Sequence, residues 1–291
     1  MKVKVLLLLT AMVFTLGALH ATELGWVKVL DKDYLVIHFR DGEVVFDEDG
    51  GPTDGSGGSH AVYFGTALNT TNAVTASNWL ITSGDDSAYG TAGRAPAAVY
   101  RKTKVNGMDE DPWAGSDWAW EYTFEHYIYL KLPYSMQQGR TYTIRFPGNI
   151  NCSTTSMNIT YDIFKCPSEA IHTNLVGYVT GTSVKSADLY HFMGDGSYRD
   201  YSGFVGNDVY IYNVSSGVSQ KVGSVAFWMQ GAKETHWNMT GGDVWTVDFT
   251  GFSEPGTYRL AVEGVGCSED FQIDDGAFYD PFKVSVQGYF Y

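Results

Sequence analysis

The chain has 291 residues, with 33 acidic against 19 basic side chains and a formal charge of −14. So acidic a surface repels phosphate backbones and argues against nucleic acid as a partner. Tyrosine (20), phenylalanine (16) and glycine (33) are abundant, a composition that favours strands and tight turns over helices.

At the N-terminus, Lys2 and Lys4 precede an apolar, charge-free run from Val5 to Leu19, and Ala21 offers a small residue for cleavage. Residues 1–21 therefore read as a signal peptide, and the protein as secreted. The run is short for a bilayer span, and no later stretch approaches one. GWVKVL (25–30) and YLVIHF (34–39) are the first strand candidates. The loop that follows, DEDGGPTDGSGG (47–58), places Asp47, Asp49 and Asp54 among glycines. These carboxylates could gather around Ca²⁺, but they depart from the EF-hand order and lack its terminal Glu, so a solvated acidic loop is favoured and no cofactor is expected.

Further strands are expected at AAVYRK (97–102) and HYIYLKL (126–132), with an aromatic cluster between them. There Trp113, Trp118, Trp120 and Tyr122 could stack on sugar rings beside acidic neighbours. The competing and favoured reading has Trp118 and Trp120 alternating into a core while Trp113 packs a loop. RTYTIRF (140–146) alternates with period two, and MNITYDIF (157–164) is a further strand. Cys152 and Cys166 flank that last strand and form a candidate disulfide, leaving Cys267 as a buried thiol. No C-x-x-C pair exists to make a zinc ribbon.

The polar, turn-prone KCPSEA (165–170) marks a boundary near residue 167. It divides the mature chain into 22–167 and 168–291. Beyond it, NDVYIYN (207–213), VGSVAFW (222–228), DVWTVDF (243–249) and TYRLAVEG (257–264) continue the strand series. Pro255 and Gly256 fit the centre of a type II turn, and Tyr258 fits a tyrosine corner. Short strands separated by Gly, Asp, Asn and Ser clusters indicate an all-β protein of two tandem immunoglobulin-like sandwiches.

The second half carries a more specific pattern. Ile171, Asn174, Val176, Gly177 and Tyr178 match an "I-x-V-N-Q-V-G-Y" opening, with Leu175 where Gln is usual. Lys185 and Ala187 supply a "K-x-A" strand. Asp243, Trp245, Asp248, Phe249, Pro255, Gly256, Tyr258, Gly264, Gly266, Ser268, Phe271 and Ile273 fall on a long "D-V-W" to "F-x-I" stretch. This region resembles the N-terminal Ig-like domain of family-nine glycoside hydrolases (cellulases). FYDPFKVSVQGYFY (278–291) is similar to the segment leading into that family's catalytic barrel. The resemblance implies a catalytic domain of the same polypeptide as partner, with Phe282, Val286, Tyr289, Phe290 and Tyr291 as packing candidates. Residues 68–86 resemble accessory bacterial Ig-like sandwiches placed ahead of such a domain.

The family's chemistry is not expected here. Its inverting mechanism needs two carboxylates flanking a sugar, and its D-A-G-D base motif is missing. Asp195 and Asp200, in the look-alike MGDGSYRD (193–200), read as solvated turn residues. No G-x-S-x-G elbow occurs, and His172, His191 and His236 lack ligand spacing. No catalytic residue is assigned. The expected function is that of a non-catalytic accessory region of a secreted β-glucan hydrolase; the alternative is a stand-alone carbohydrate-binding or cell-surface structural protein.

Overall fold

The computed structural model describes residues 22–47, 58–111, 119–231 and 240–290; the candidate signal peptide lies outside them. In chain order the first half contributes β1 (Glu23–Asp31), β2 (Tyr34–Arg40), β3 (Gly42–Asp47), β4 (Gly58–Tyr63), a one-turn helix α1 (Thr70–Ala73), β5 (Leu80–Thr82), β6 (Ala98–Asp111), β7 (Ala119–Lys131), β8 (Thr141–Arg145) and β9 (Ser156–Thr160). The second half contributes β10 (Ile171–His172), β11 (Ser186–Leu189), β12 (Asp208–Asn213), β13 (Ser219–Ser224), β14 (Ala226–Met229), β15 (Val244–Asp248), β16 (Gly256–Val262), β17 (Gly266–Cys267), β18 (Phe271–Ile273) and the helix α2 (Tyr279–Gln287). The protein is all-β.

In the first half, a sheet ordered β1-β2-β7-β6 faces a smaller sheet ordered β5-β8-β9, while β3 and β4 form a separate hairpin. In the second half, β10-β11-β15-β14 faces β13-β12-β16-β17, with β18 also on β16. All the named strand pairs are antiparallel. Period two predicts which side each residue takes. Tyr142 and Ile144 of β8 are buried, as are Trp245 and Val247 of β15. Residues 68–78 depart from the expected sandwich pattern. The Asn69 side chain accepts from the Asn72 N–H and caps α1, and a 3₁₀ turn follows at 76–78. The run 222–228 is likewise divided, between β13 and β14, with the buried Val225 at the joint.

β2 shows how the halves meet. Its first six residues are all buried, the pattern of a strand covered on both faces. Leu35, Ile37 and Phe39 join Ile128, Leu130, Trp79 and Tyr142 in the first-half core. Tyr34 and Val36, with Leu30, Tyr127 and Tyr129, join Leu189, Tyr201, Phe204, Trp245 and Val262 in the core of the second half. One apolar cluster thus crosses the expected boundary, and the β1-β2-β7-β6 sheet is a middle layer.

Polar contacts lock this seam. Asp31 is fully buried and receives Arg199 Nε at 2.7 Å, while Arg199 Nη2 reaches Asp33 at 3.1 Å. The guanidinium lies 4.7 Å from the Tyr34 ring centroid and 5.3 Å from that of Tyr201. Asp195 is exposed in a 3₁₀ turn, as expected, and in addition accepts the Arg101 N–H of β6 at 2.6 Å. Gly194 beside it has φ +69°, and a Cβ there would come within 2.3 Å of the Arg101 carbonyl oxygen, so only glycine fits. MGDGSYRD is a clasp between the two halves. Asp200 does cap a turn, accepting from the Ser202 N–H at 2.8 Å.

The Tyr258 hydroxyl donates to the Pro255 carbonyl at 3.3 Å, giving the expected corner. The turn itself is not type II. Gly256 has φ +157° and starts β16, where type II geometry requires about +80°.

Candidate functional site

Three surfaces could carry function. The first is a cleft of about 530 Å³ where β1 and β6 meet the start of the second half. Lys28 Nζ stands between two carboxylates, 3.7 Å from Glu169 and 3.6 Å from Glu269. An inverting hydrolase needs an open gap between its carboxyl groups to admit water and sugar; here an ammonium group occupies the gap. His191 is buried, and its desolvation, with Lys102 nearby, pushes it down to about 3. It is therefore neutral, with Nδ1–H toward the Glu169 carbonyl at 3.4 Å and Nε2 accepting from Tyr129 Oη at 3.0 Å. Burial, then Lys104, also lowers Lys102, whose Nζ donates to the Phe192 carbonyl and faces the Tyr127 and Tyr129 rings. His172 stacks on Tyr190 with centroids 4.0 Å apart and is lowered by burial. These groups are mutually satisfied and tie the halves together.

The second surface is the ribbon formed where β6 and β7 run beyond the sheet. Register pairs Met108 with Tyr122 and Val105 with Phe124. Paired residues share a face, so Trp120, Tyr122, Phe124, Met108 and Val105 make one apolar ladder. The opposite face carries Thr123, fully buried, and the β3–β4 hairpin lies against this ribbon. Trp120 is 48% exposed and Tyr122 40%, which corrects the expectation that Trp120 turns into a core. Trp113 and Trp118 lie outside the described residues.

The third surface is α2, none of whose residues is buried. Phe282 is 66% exposed and Tyr289 90%, with Phe290 and Val286 also open. Tyr291 lies outside the described residues.

The remaining candidates divide as follows. Asp47 ends β3 opposite Gly58, while Asp49 and Asp54 lie outside the described residues, as does His236. Among the described residues no group of three His, Cys, Asp or Glu side chains is placed to hold a metal ion. The expected Cys152–Cys166 disulfide is not formed: all three cysteines are free thiols. Thr22 bridges to the Cys152 backbone, whereas Cys166 Sγ turns away to donate to the Thr160 carbonyl at 3.1 Å. Burial pushes the Cys267 thiol up to about 12, so it is inert. Sequence spacing missed the Lys28–Glu169–Glu269 and Asp31–Arg199 constellations, because their members come from opposite halves of the chain.

Comparison with known proteins yields no matching family model and no matching curated protein. Among solved structures, a family-nine glycoside hydrolase of Bacteroides ovatus is similar over 42% of this chain and 18% of its own, at 20% identity and TM-score 0.32. A metagenome-derived family-nine endoglucanase is similar over 38% and 18%, at 24% identity and TM-score 0.30. The N-terminal part of the bacterial S-layer protein SbsC is similar over 87% and 44%, at 13% identity and TM-score 0.30. This chain spans less than a fifth of the two family-nine chains. Likenesses this weak establish no activity.

Proposed function

We propose that this chain is a non-catalytic accessory region of a secreted glycoside hydrolase acting on β-glucan, and that it supports the catalytic domain through α2. The observation that carries this reading is the bare apolar stripe of that helix. Tyr279, Phe282 and Val286 fall at i, i+3 and i+7, one helical face. A helix this short is marginal in water without a packing partner, and this one buries nothing against its own chain.

The residues behind the family resemblance support the same reading, because they build the sandwich. Trp245 fills its core, Tyr258 closes its corner, and Gly177 at φ +114° allows an approach that a Cβ would block at 2.6 Å from the Gln272 carbonyl oxygen. The test is sedimentation velocity with a family-nine barrel from the same organism, expressed without its own β-sandwich. A one-to-one complex is expected at about 10 μM of each component, and Phe282→Asp should abolish it. Absence of any complex contradicts the reading.

The ribbon favours a second reading, in which the chain itself holds polysaccharide. Trp120, Tyr122 and Phe124 repeat every second residue, roughly 6.8 Å apart along the strand. They offer a row of exposed ring surfaces for the C–H faces of successive sugars.

A further inference from the structure

The β6–β7 ladder has one open face. On its far side a Cβ at Gly107 would come within 2.5 Å of Val44 Cγ2, so the β3–β4 hairpin closes that side. On the open side Val105, Met108, Trp120, Tyr122 and Phe124 are each between 38% and 54% exposed. Together they leave on the order of 450 Å² uncovered, inside the range of about 300–600 Å² in which a monomer's largest apolar patch is often functional.

A second copy of the chain is a poor occupant. Two such faces would bury on the order of 900 Å² in all, below the roughly 1,200–2,000 Å² of a stable protein interface. Each copy also carries a charge of −14. An acidic polymer is repelled by the same charge, and Glu110 stands opposite Trp120 at the outer end of the ladder. At the inner end the polar groups engage one another: Thr103 Oγ1 lies 3.0 Å from His126 Nδ1, and His126 Nε2 lies 2.8 Å from Asp41. Between them the five ladder side chains offer one phenolic hydroxyl and one indole N–H, too few polar groups to read the hydroxyls along a sugar's edge.

What such a row selects is ring faces. Successive rungs on β7 are roughly 6.8 Å apart, a spacing longer than one sugar of an extended chain, so no rung is reserved for one face. In the straight β-linked chains of cellulose, chitin and mannan each sugar is turned over relative to its neighbour, and a chain lying along the row offers it both faces. A face of C–H groups stacks on an aromatic ring. A face bearing an axial hydroxyl instead strips that hydroxyl of water without giving it a partner. We infer that the ladder takes an uncharged, linear, β-linked polysaccharide whose sugar rings carry all their substituents equatorially, and that it does not distinguish glucose from N-acetylglucosamine. This substrate class rests on the reading of the ribbon as a polysaccharide holder and is independent of α2.

The test measures depletion of the whole chain from solution by microcrystalline cellulose, by chitin and by linear mannan, whose sugars carry an axial hydroxyl, each normalised to accessible surface. Retention on cellulose and chitin should agree within about threefold, and on mannan it should be at least about tenfold weaker, equivalent to one stacking contact. Tyr122→Ala, with its thermal midpoint as the check on folding, should weaken retention on cellulose and on chitin by the same factor of about tenfold. The comparison among polysaccharides uses the unaltered chain and so stands whether or not the variant folds. Mannan retained as tightly as cellulose, or chitin retained at least about tenfold less than cellulose, overturns the substrate class while leaving the ribbon a polysaccharide holder. Retention on none of the three overturns the class and the ribbon reading together. Unchanged retention of folded Tyr122→Ala places the polysaccharide elsewhere on the chain and overturns the assignment to the ladder.

Discussion

At the scale of single residues, Arg199 has the largest consequences. It neutralises Asp31, which has no solvent contact, and its guanidinium covers the Tyr34 and Tyr201 rings. Removing one partner of such a pair strands the other, at a cost of about 3–5 kcal/mol. Arg199→Ala should therefore lower the urea-unfolding free energy by that amount, and a loss under about 1 kcal/mol would show the seam to be held by apolar packing alone. Nothing local in MGDGSYRD announces this role. Its glycines and aspartates have the chemistry of a solvated turn, and the partner of Arg199 lies 168 positions away. Tyr258 was legible because its corner is closed within three residues. Trp120 was misread for a related reason: alternation shows that Trp120 and Tyr122 share a face but not whether another layer covers it.

At the scale of elements, strands covered on one face were the readable ones. β8 alternates in sequence and in burial, as does β15 from Trp245 onward, while β16 alternates only up to Leu260 and then buries Ala261 and Val262 as well. β2 does not alternate, because two layers cover it, and its unbroken apolar run carried that information. α1 escaped notice because its four residues, TTNA, hold no apolar period and the helix is defined by the Asn69 cap. The β6–β7 ribbon is the element on which polysaccharide retention depends. Trp120→Ala removes an exposed ring and should leave the fold intact, since the buried face of the ribbon is held through Thr123. Retention of the chain on insoluble β-glucan should weaken about tenfold, in line with one stacking contact. Retention equal to that of the wild type would rule the ladder out as a sugar platform.

At the scale of the whole molecule, composition and turn spacing gave the all-β class, and a long motif gave the resemblance of the second half. The common core was not legible, because tandem sandwiches and sandwiches sharing a layer have the same strand patterns. What separates them is the second buried face of one sheet, Tyr34, Val36, Tyr127 and Tyr129, joined to the apolar cluster of the other half. This construction joins the two halves through one apolar cluster. The proposed partner is a glycoside hydrolase barrel, and this is tested by the half-life of barrel activity on β-glucan at a temperature where the isolated barrel decays. With the chain present in excess the half-life should lengthen at least about tenfold, as expected for ligand-like stabilisation of the folded state, and Phe282→Asp should remove the gain. An unchanged half-life with wild-type chain would contradict the account.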